Sequence, residues 1–417
     1  MVKGYGSSVE KIGHNVVRNL LFQGLNQYSL DGKKVLVIIP DQTRSAPIPL
    51  FFKLLCEILG KETRQLDFLI ALGTHPVLPD SEIELLVGMS AKERSELFPN
   101  VNIINHRWDI TDELFTIGVI PGHEIETLTG GLLTKGVPVR LNRRVIEYDH
   151  IIICGPVFPH EVAGFSGGNK YLVPGIAGPE IINLTHWLGA LETNMQIIGV
   201  KNTAVRRVID RSASMVHAPI LCVAFCMKDG DLYGVFIGPT EDAWNDAADL
   251  SSKINVIKVP HSYQRILSLP ASRYHDLWTA SKAMYKAEPI VADGGEIILY
   301  APHLKVISFT HQETILKLGY HVRDFFVKQW DLYKGYPGAV LAHCTHLCGA
   351  GTYENGKENP RIRVILSTGI PREICELINL GYYDPNEIDP EDWIKRDDED
   401  LFIIQNAGES LFLVNNR

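Results

Sequence analysis

Lys34-Val35-Leu36-Val37-Ile38-Ile39-Pro40 is an apolar run behind a single lysine, stopped by a proline and followed by Asp41-Gln42-Thr43-Arg44-Ser45-Ala46-Pro47. A short, β-branched stretch without polar alternation predicts a parallel-type strand buried on both faces. Proline ends it, because it cannot donate to a sheet ladder. On the N-terminal side, residues 9–28 carry Ile12, Val16, Val17, Leu20 and Leu21 near helical spacing and predict an amphipathic helix. On the C-terminal side, residues 49–59 predict a helix with proline in its first turn. Residues 66–72 then predict a strand ending in Gly73-Thr74-His75-Pro76, and 81–87 a helix. Further strands are predicted at 101–104, 150–154, 220–226 and 253–259. Strands alternating with helical stretches predict an α/β fold with a mostly parallel sheet.

The pattern breaks over 261–274, where Pro260 and Pro270 flank a weakly periodic stretch. A domain boundary is expected there, giving an N-terminal domain over 1–265 and a C-terminal domain over 266–417. The second α/β cycle is predicted as a helix at 275–287, a strand at 296–301, a helix at 311–318, a strand at 339–342 and a helix at 371–380. The charged stretch 396–399 and the terminal Asn415-Asn416-Arg417 read as solvated surface.

Composition agrees with two such domains. The chain has 417 residues, 45% hydrophobic and 21% charged, with 35 Gly and 23 Pro, which excludes disordered, collagenous and coiled-coil classes. Its longest apolar runs are strand-sized, far below the roughly 18 residues that span a bilayer. The N-terminus lacks the charged-then-apolar pattern of an export signal. A net charge of −9, with 15 histidines left neutral, disfavours a polyanionic partner such as DNA. Seven cysteines scattered along the chain make no disulfide framework and fit a reducing cytoplasm. The expectation is a cytoplasmic enzyme with no nucleic-acid or membrane partner.

In open α/β sheets, ligands gather where strands end, which selects the loops after Ile39, Leu72 and Cys154. In the first, Arg44 offers a planar fork for a carboxylate or phosphate, while Asp41 and Thr43 read equally as helix caps. In the second, His75 is a proton carrier or a structural histidine. The third runs from Pro156 through His160 to Gly164-Phe165-Ser166-Gly167-Gly168-Asn169-Lys170-Tyr171 and on to Pro174-Gly175. Asn169 stands where a phosphate loop needs its last glycine, and Tyr171 replaces the Ser/Thr that would hold magnesium. G-x-G-x-x-G is absent as well, so neither a nucleotide-triphosphate loop nor a dinucleotide fingerprint is present. Lys170, in a glycine-rich and mostly apolar setting, is a nucleophile, a covalent anchor or an anion-binding cation.

His186 lies on a predicted helix beginning near Pro179 and suits nickel, zinc or copper. No second His or Cys stands at zinc spacing around it, so any metal there draws most ligands from outside the chain. The cluster His343-Cys344-Thr345-His346-Leu347-Cys348 crowds its candidate ligands too closely for a zinc site. It reads as pocket lining or as ordinary strand and turn.

Taken in order, Asp41-Gln42-Thr43-Arg44, Gly73-Thr74-His75, His160, the segment from Gly164 to Lys170, Pro174-Gly175, His186 and Ser281-Lys282-Ala283 resemble the nickel-dependent lactate racemase family over most of the chain. The resemblance implies two α/β domains with the active site in the cleft between them. It implies a nickel-pincer nucleotide, the nickel complex of pyridinium-3,5-bisthiocarboxylic acid mononucleotide, covalently attached at Lys170. By the same resemblance His186 is the protein ligand to nickel, and His75 and His160 are the paired acid–base residues. Asp41, Gln42, Thr43, Arg44, Gly167 and Gly168 bind the cofactor, and Arg44 and Lys282 hold the substrate. The implied reaction is inversion at C2 of a 2-hydroxy acid by hydride transfer, since no side chain accepts hydride and a cofactor must.

One departure bears on substrate. Where lactate racemases carry a Gln before the Ser-Lys pair, this chain has Trp278-Thr279-Ala280. With the polar 343–348 stretch, a pocket lined by Thr279 and histidine suits a side chain longer or more polar than methyl. The expected partners are a small 2-hydroxy acid and the enzymes that build and load the cofactor, and a homo-oligomer is compatible with the sequence. Two other readings stay open: a Schiff-base enzyme of the aldolase type acting through Lys170, and a non-catalytic ligand-binding relative.

Overall fold

The computed structural model describes residues 1–415. Asn416 and Arg417, part of the expected surface terminus, lie outside the described residues. The chain divides into two compact units, one of residues 1–158, 165–182 and 206–254, the other of 159–164, 183–205 and 255–417. The sequence suggests a single cut at 265/266. In the structure the last long segment of the second unit begins at Asn255, and two short segments from earlier in the chain pack with it.

The first unit is built on a seven-stranded sheet: β1 (Lys3–Gly6), β2 (Lys34–Pro40), β3 (Gln65–Ala71), β4 (Val101–Asn105), β5 (His150–Pro156), β6 (Ile220–Lys228) and β7 (Asp231–Pro239). Its order is β1-β7-β6-β5-β2-β3-β4. β2 through β6 run parallel, and β7 and β1 add antiparallel edges. The apolar run of β2 sits at the centre, paired with β3 (Val35 opposite Leu66) and with β5 (Leu36 opposite Ile151). One face of β2, Val35, Val37 and Ile39, packs on α1 (His14–Leu25) and α2 (Ile48–Leu59) through Val17, Leu21, Phe51 and Leu55. Phe51 stacks on Phe225 of β6 at 4.4 Å between ring centroids. Each such aromatic or aliphatic side chain contributes about 1.5–3 kcal/mol by leaving water.

This order fixes where a ligand can sit. The chain runs from β2 outward to β3 and β4, then returns to the other side of β2 as β5. The switch point is therefore the β2/β5 pair, whose carboxyl ends open onto Asp41 and onto the segment that reaches Lys170.

The second unit has a five-stranded parallel sheet, β8 (Tyr263–Pro270), β9 (Val291–Ala301), β10 (Arg363–Thr368), β11 (Gly381–Tyr382) and β12 (Leu401–Ala407), ordered β11-β10-β9-β8-β12. Its switch point lies at β8/β12. The expected break over 261–274 is corrected here: β8 is a strand in the interior of the sheet, bonded on both sides. Its prolines, Pro260 and Pro270, sit before and at its ends, where a missing N–H is tolerated.

The strand expected at 339–342 is also corrected. These residues belong to a helix, α6 (Gly338–Cys348), which follows α3 (Asp80–Val87), α4 (Pro179–Glu192) and α5 (Thr240–Ile254) in chain order. Every residue from Ala339 to Cys348 is buried, so α6 has no polar face to reveal its period. The helix expected at 275–287 is two short turns, Leu277–Ala280 and Lys282–Tyr285. The strand expected at 253–259 starts at Val256, after α5. No described helix is long and apolar enough to cross a membrane, and all seven cysteines are free and buried.

Candidate active site

In the first unit, Asp41 leaves the end of β2 buried at 5% exposure. Its Oδ1 accepts hydrogen bonds from the Thr43 backbone N–H (3.1 Å) and hydroxyl (2.7 Å), and its Oδ2 lies 2.5 Å from His75 Nδ1. Burial pushes the Asp41 carboxyl upward, but the charge and hydrogen bond of His75, the Thr43 bond and the Arg44 charge outweigh it. The group is held well below the usual carboxylate range. An ionised Asp41 holds a proton on Nδ1, so Nε2 is the ring nitrogen of His75 left to exchange a proton. Thr43 thus spends its hydroxyl proton on Asp41, and Gln42 is exposed and donates to Glu82 on α3 at 2.6 Å. Arg44, half-buried, lies within electrostatic reach of Asp41 and Tyr171.

The His75 loop is tied to the Lys170 turn through the backbone, since Gly73 N–H donates to Gly175 O at 2.9 Å and Gly175 N–H to Lys170 O at 3.1 Å. Lys170 sits half-buried in the tight turn Gly168–Tyr171. Gly168 has φ +57, and a Cβ there would lie 2.9 Å from the Trp244 ring, so the turn admits only glycine. Gly155 of β5 likewise leaves room for the Tyr171 ring, which a Cβ would strike.

Three residues behind this turn escape sequence reasoning. Arg206, buried at 3%, donates to Phe165 O at 2.5 Å and to Gly167 O at 3.4 Å, and its guanidinium lies 4.1 Å from the Trp244 ring centroid. Trp244 Nε1–H donates to Ser166 O at 2.8 Å, and Asn169 Nδ2–H to Asp210 Oδ1 at 3.0 Å. The available signal was Arg206 itself, an arginine sharing the apolar stripe of its helix with Ile209 and Ala213.

In the second unit, His160 and Glu161 are buried. His160 Nδ1 accepts the Val162 backbone N–H at 3.1 Å, so its ring proton belongs on Nε2, which is 3.7 Å from Glu161 Oε1. His186 is half-buried on α4 beside Trp187, which stacks on Trp330 at 5.4 Å. The loop after β8 carries Asp276, whose Oδ1 accepts the Thr279 N–H (3.0 Å) and hydroxyl (2.6 Å). This cap commits the Thr279 proton and starts the turn that leads to Lys282. Lys282 is buried at 6%, with Nζ 5.2 Å from the Tyr274 ring centroid.

The structure thus brings Asp41, Arg44, His75, Gly167, Gly168 and Lys170 to one sheet edge of the first unit. His160, His186, Thr279 and Lys282 belong to the second unit.

Residues 6–198 match the family model described as the lactate racemase N-terminal domain. Over these residues the chain is similar to the lactate racemase family. Among curated proteins it is similar to the lactate racemase of Thermoanaerobacterium thermosaccharolyticum, 26% identical over 278 residues, covering 65% of this chain and 60% of that protein. It is 24% identical over 277 residues to the lactate racemase of Lactiplantibacillus plantarum, with the same coverage. The matches span 60% of the length of both curated lactate racemases. A crystal structure of a Thermotoga maritima protein superposes with TM-score 0.90 at 29% identity, covering 99% of this chain and 100% of that one. The lactate racemase apoprotein of T. thermosaccharolyticum superposes with TM-score 0.72 at 20% identity, covering 97% and 93%, and shares the fold.

Proposed function

We propose that this protein is an isomerase, a racemase or epimerase that inverts C2 of a 2-hydroxy acid with a nickel-pincer nucleotide tethered at Lys170. The observation that carries this reading is the 2.5 Å contact between Asp41 and His75 at the sheet edge that also holds the Lys170 turn. A lysine beside an oriented base is what a tethered cofactor and a hydroxyl substrate require.

The donor set fits that cofactor. Among the described residues no group of three or more His, Cys, Asp or Glu side chains converges on a metal position, and all seven thiols are buried. His186 would hold nickel through its imidazole, and the remaining, softer donors would come from the cofactor. Lys170 would hold the ring covalently, and the backbone at Gly167 and Gly168, with Asp41, Gln42, Thr43 and Arg44, would line the nucleotide. The chemistry such a group would supply when bound is reversible hydride acceptance, which no side chain of the chain offers.

The chain's residues do the rest. Arg44 in the first unit and Lys282 in the second are the two cations proposed to hold the substrate carboxylate. His75 Nε2 takes the hydroxyl proton, and Asp41 stabilises the resulting imidazolium. His160, in the second unit, is the proposed second proton carrier, with its ring proton on Nε2. To act as base for the opposite enantiomer, the ring must carry its proton on Nδ1 instead of Nε2, which frees the Nε2 lone pair and releases the Val162 N–H. The enzyme works in the cytoplasm, beside the enzymes that load its cofactor, without nucleic-acid or membrane partners and with no bar to homo-oligomers.

The test uses loaded protein, a panel of lactate, malate, gluconate, 2-hydroxybutyrate and phenyllactate, and chiral chromatography. Substrate deuterated at C2 is expected to invert with its label retained, and lactate not to be the fastest. Loss of deuterium to water overturns hydride transfer. Borohydride trapping of substrate on Lys170 in nickel-free protein replaces the reading with a Schiff-base one.

A further inference from the structure

Four buried polar side chains of the second unit gather at one place. Tyr320 (0% exposed), His343 (6%) and His346 (4%) leave the Tyr320 hydroxyl, His343 Nδ1 and His346 Nε2 without a hydrogen-bond partner, and the hydroxyl of Tyr285 (3%) has only a weak neighbour in the Ser281 side chain. They form one cluster: ring centroids lie 6.4 Å apart for Tyr285–His343, 5.7 Å for Tyr285–His346 and 5.6 Å for Tyr320–His343. Leaving a buried donor or acceptor unmade costs about 1–3 kcal/mol, so these together on one patch mark a place where something polar docks.

The cluster adjoins the segment that carries Lys282. His343 stacks on Trp278 at 4.1 Å and 6°, and its Nε2–H donates to Trp278 O at 3.3 Å. Nδ1 is therefore left as a bare acceptor. His346 also lines a cavity of about 80 Å³ with Asn194, whose Oδ1 is another unmatched acceptor.

We infer that Tyr285, Tyr320, His343 and His346 form a recognition pocket for hydroxyl groups on the substrate's carbons beyond C2, which makes the substrate a polyhydroxylated 2-hydroxy acid. This rests on the reading under Proposed function. Hydroxyls, rather than a second carboxylate, follow from the charge balance. Burial holds His343 and His346 neutral, pushing them down to about 3 and about 4. The Glu161 carboxylate acts electrostatically on Tyr285, His343 and His346. A second anion would meet that carboxylate, and Arg323, the cation lining the His346 cavity, is already paired with Asp324; a hydroxyl both donates and accepts and matches phenols and neutral imidazoles. An alkyl tail would leave the Tyr320, His343 and His346 atoms unmatched.

The test is isothermal titration calorimetry on the full chain, with and without cofactor, comparing gluconate with 2-hydroxyhexanoate. These ligands have equal carbon counts and differ in hydroxylation. Gluconate is expected to bind at least about tenfold tighter. Tyr285→Phe and Tyr320→Phe should each remove a severalfold share of that preference while binding 2-hydroxyhexanoate unchanged. Because Tyr320→Phe removes an unmatched oxygen and Tyr285→Phe at most a weak bond to Ser281, unliganded melting temperatures should hold within a few degrees. Equal or tighter binding of 2-hydroxyhexanoate overturns the pocket, as does an undiminished preference in both folded variants. Binding is read without turnover, so gluconate that binds selectively but is never inverted refutes the proposed reaction and not the pocket. Inversion of lactate without selective gluconate binding refutes the pocket alone.

Discussion

Asp41 and His75 lie 34 positions apart and meet at 2.5 Å, carboxylate to Nδ1, across the ends of two adjacent parallel strands. The carboxylate fixes a ring proton on Nδ1 and leaves Nε2 as the exchangeable nitrogen, the base of the proposed reaction. Asp41→Asn should leave the fold intact, because the Thr43 bonds to Oδ1 survive, yet present an N–H donor to His75. A fall in kcat of about 10²–10⁴ with little change in KM is expected. Steady-state kinetics of the loaded variant decide it, and unchanged kcat would remove Asp41 from the mechanism.

Replacing either proton carrier should separate loading from turnover. His75→Ala and His160→Ala are expected to keep the cofactor mass and nickel content while losing about 10²–10⁴ in rate. Full activity in one of them would sink that histidine's role.

Lys170→Ala should fold and lose covalent cofactor retention, seen as a missing adduct by intact-mass spectrometry. His186→Ala should lower bound nickel by metal analysis at an unchanged melting temperature. Wild-type nickel stoichiometry in the second variant would show that the metal has another protein ligand.

Buried histidines give the fold an acid limit. Burial pushes His343 to about 3 and His346 to about 4, and in the first unit His106 to about 4. These folded-state values lie below the unfolded value of about 6.5. Above that value neither state holds the proton, and the stability is fully present. As pH falls below it, the unfolded chain takes up protons that the folded chain refuses. Stability should drop by about 1.4 kcal/mol per histidine per pH unit until the folded values are reached. Urea unfolding at pH 7, 6 and 5 measures this, and a flat profile over that range would contradict it.

Gly168→Ala should destabilise the first unit by about 1–3 kcal/mol, through its positive φ and the approach to Trp244. Arg206→Met should loosen the same turn by removing its donors to Phe165 and Gly167. Thermal melts of both, read against wild type, check whether Lys170 stands on a rigid platform.

Much of this was legible in the residues. The apolar run of β2, its proline stop and the loaded loops after β2, β3 and β5 are local signals, because burial on both faces leaves an unbroken hydrophobic word and the strand must end where polar residues begin. Lys170 among glycines, and the histidines at 75 and 160, stood out for the same reason: reactive types in segments that chain composition alone marks as turns, while His186 stood out on a helix just behind them.

Other features needed the folded chain. Tyr263–Pro270 hid as a linker because its neighbours on both sides, Val291–Ala301 and Leu401–Ala407, come later in sequence, and sheet pairing is non-local. Helix α6 hid because a helix buried on every side has no amphipathic period. The Asp41–His75 contact, the Arg206–Trp244 support and the buried Tyr285–Tyr320–His343–His346 cluster depend on distances between segments far apart in the chain. Residue order sets which chemistry is available; only three-dimensional packing decides which groups meet, which lose water and therefore which proton each one holds.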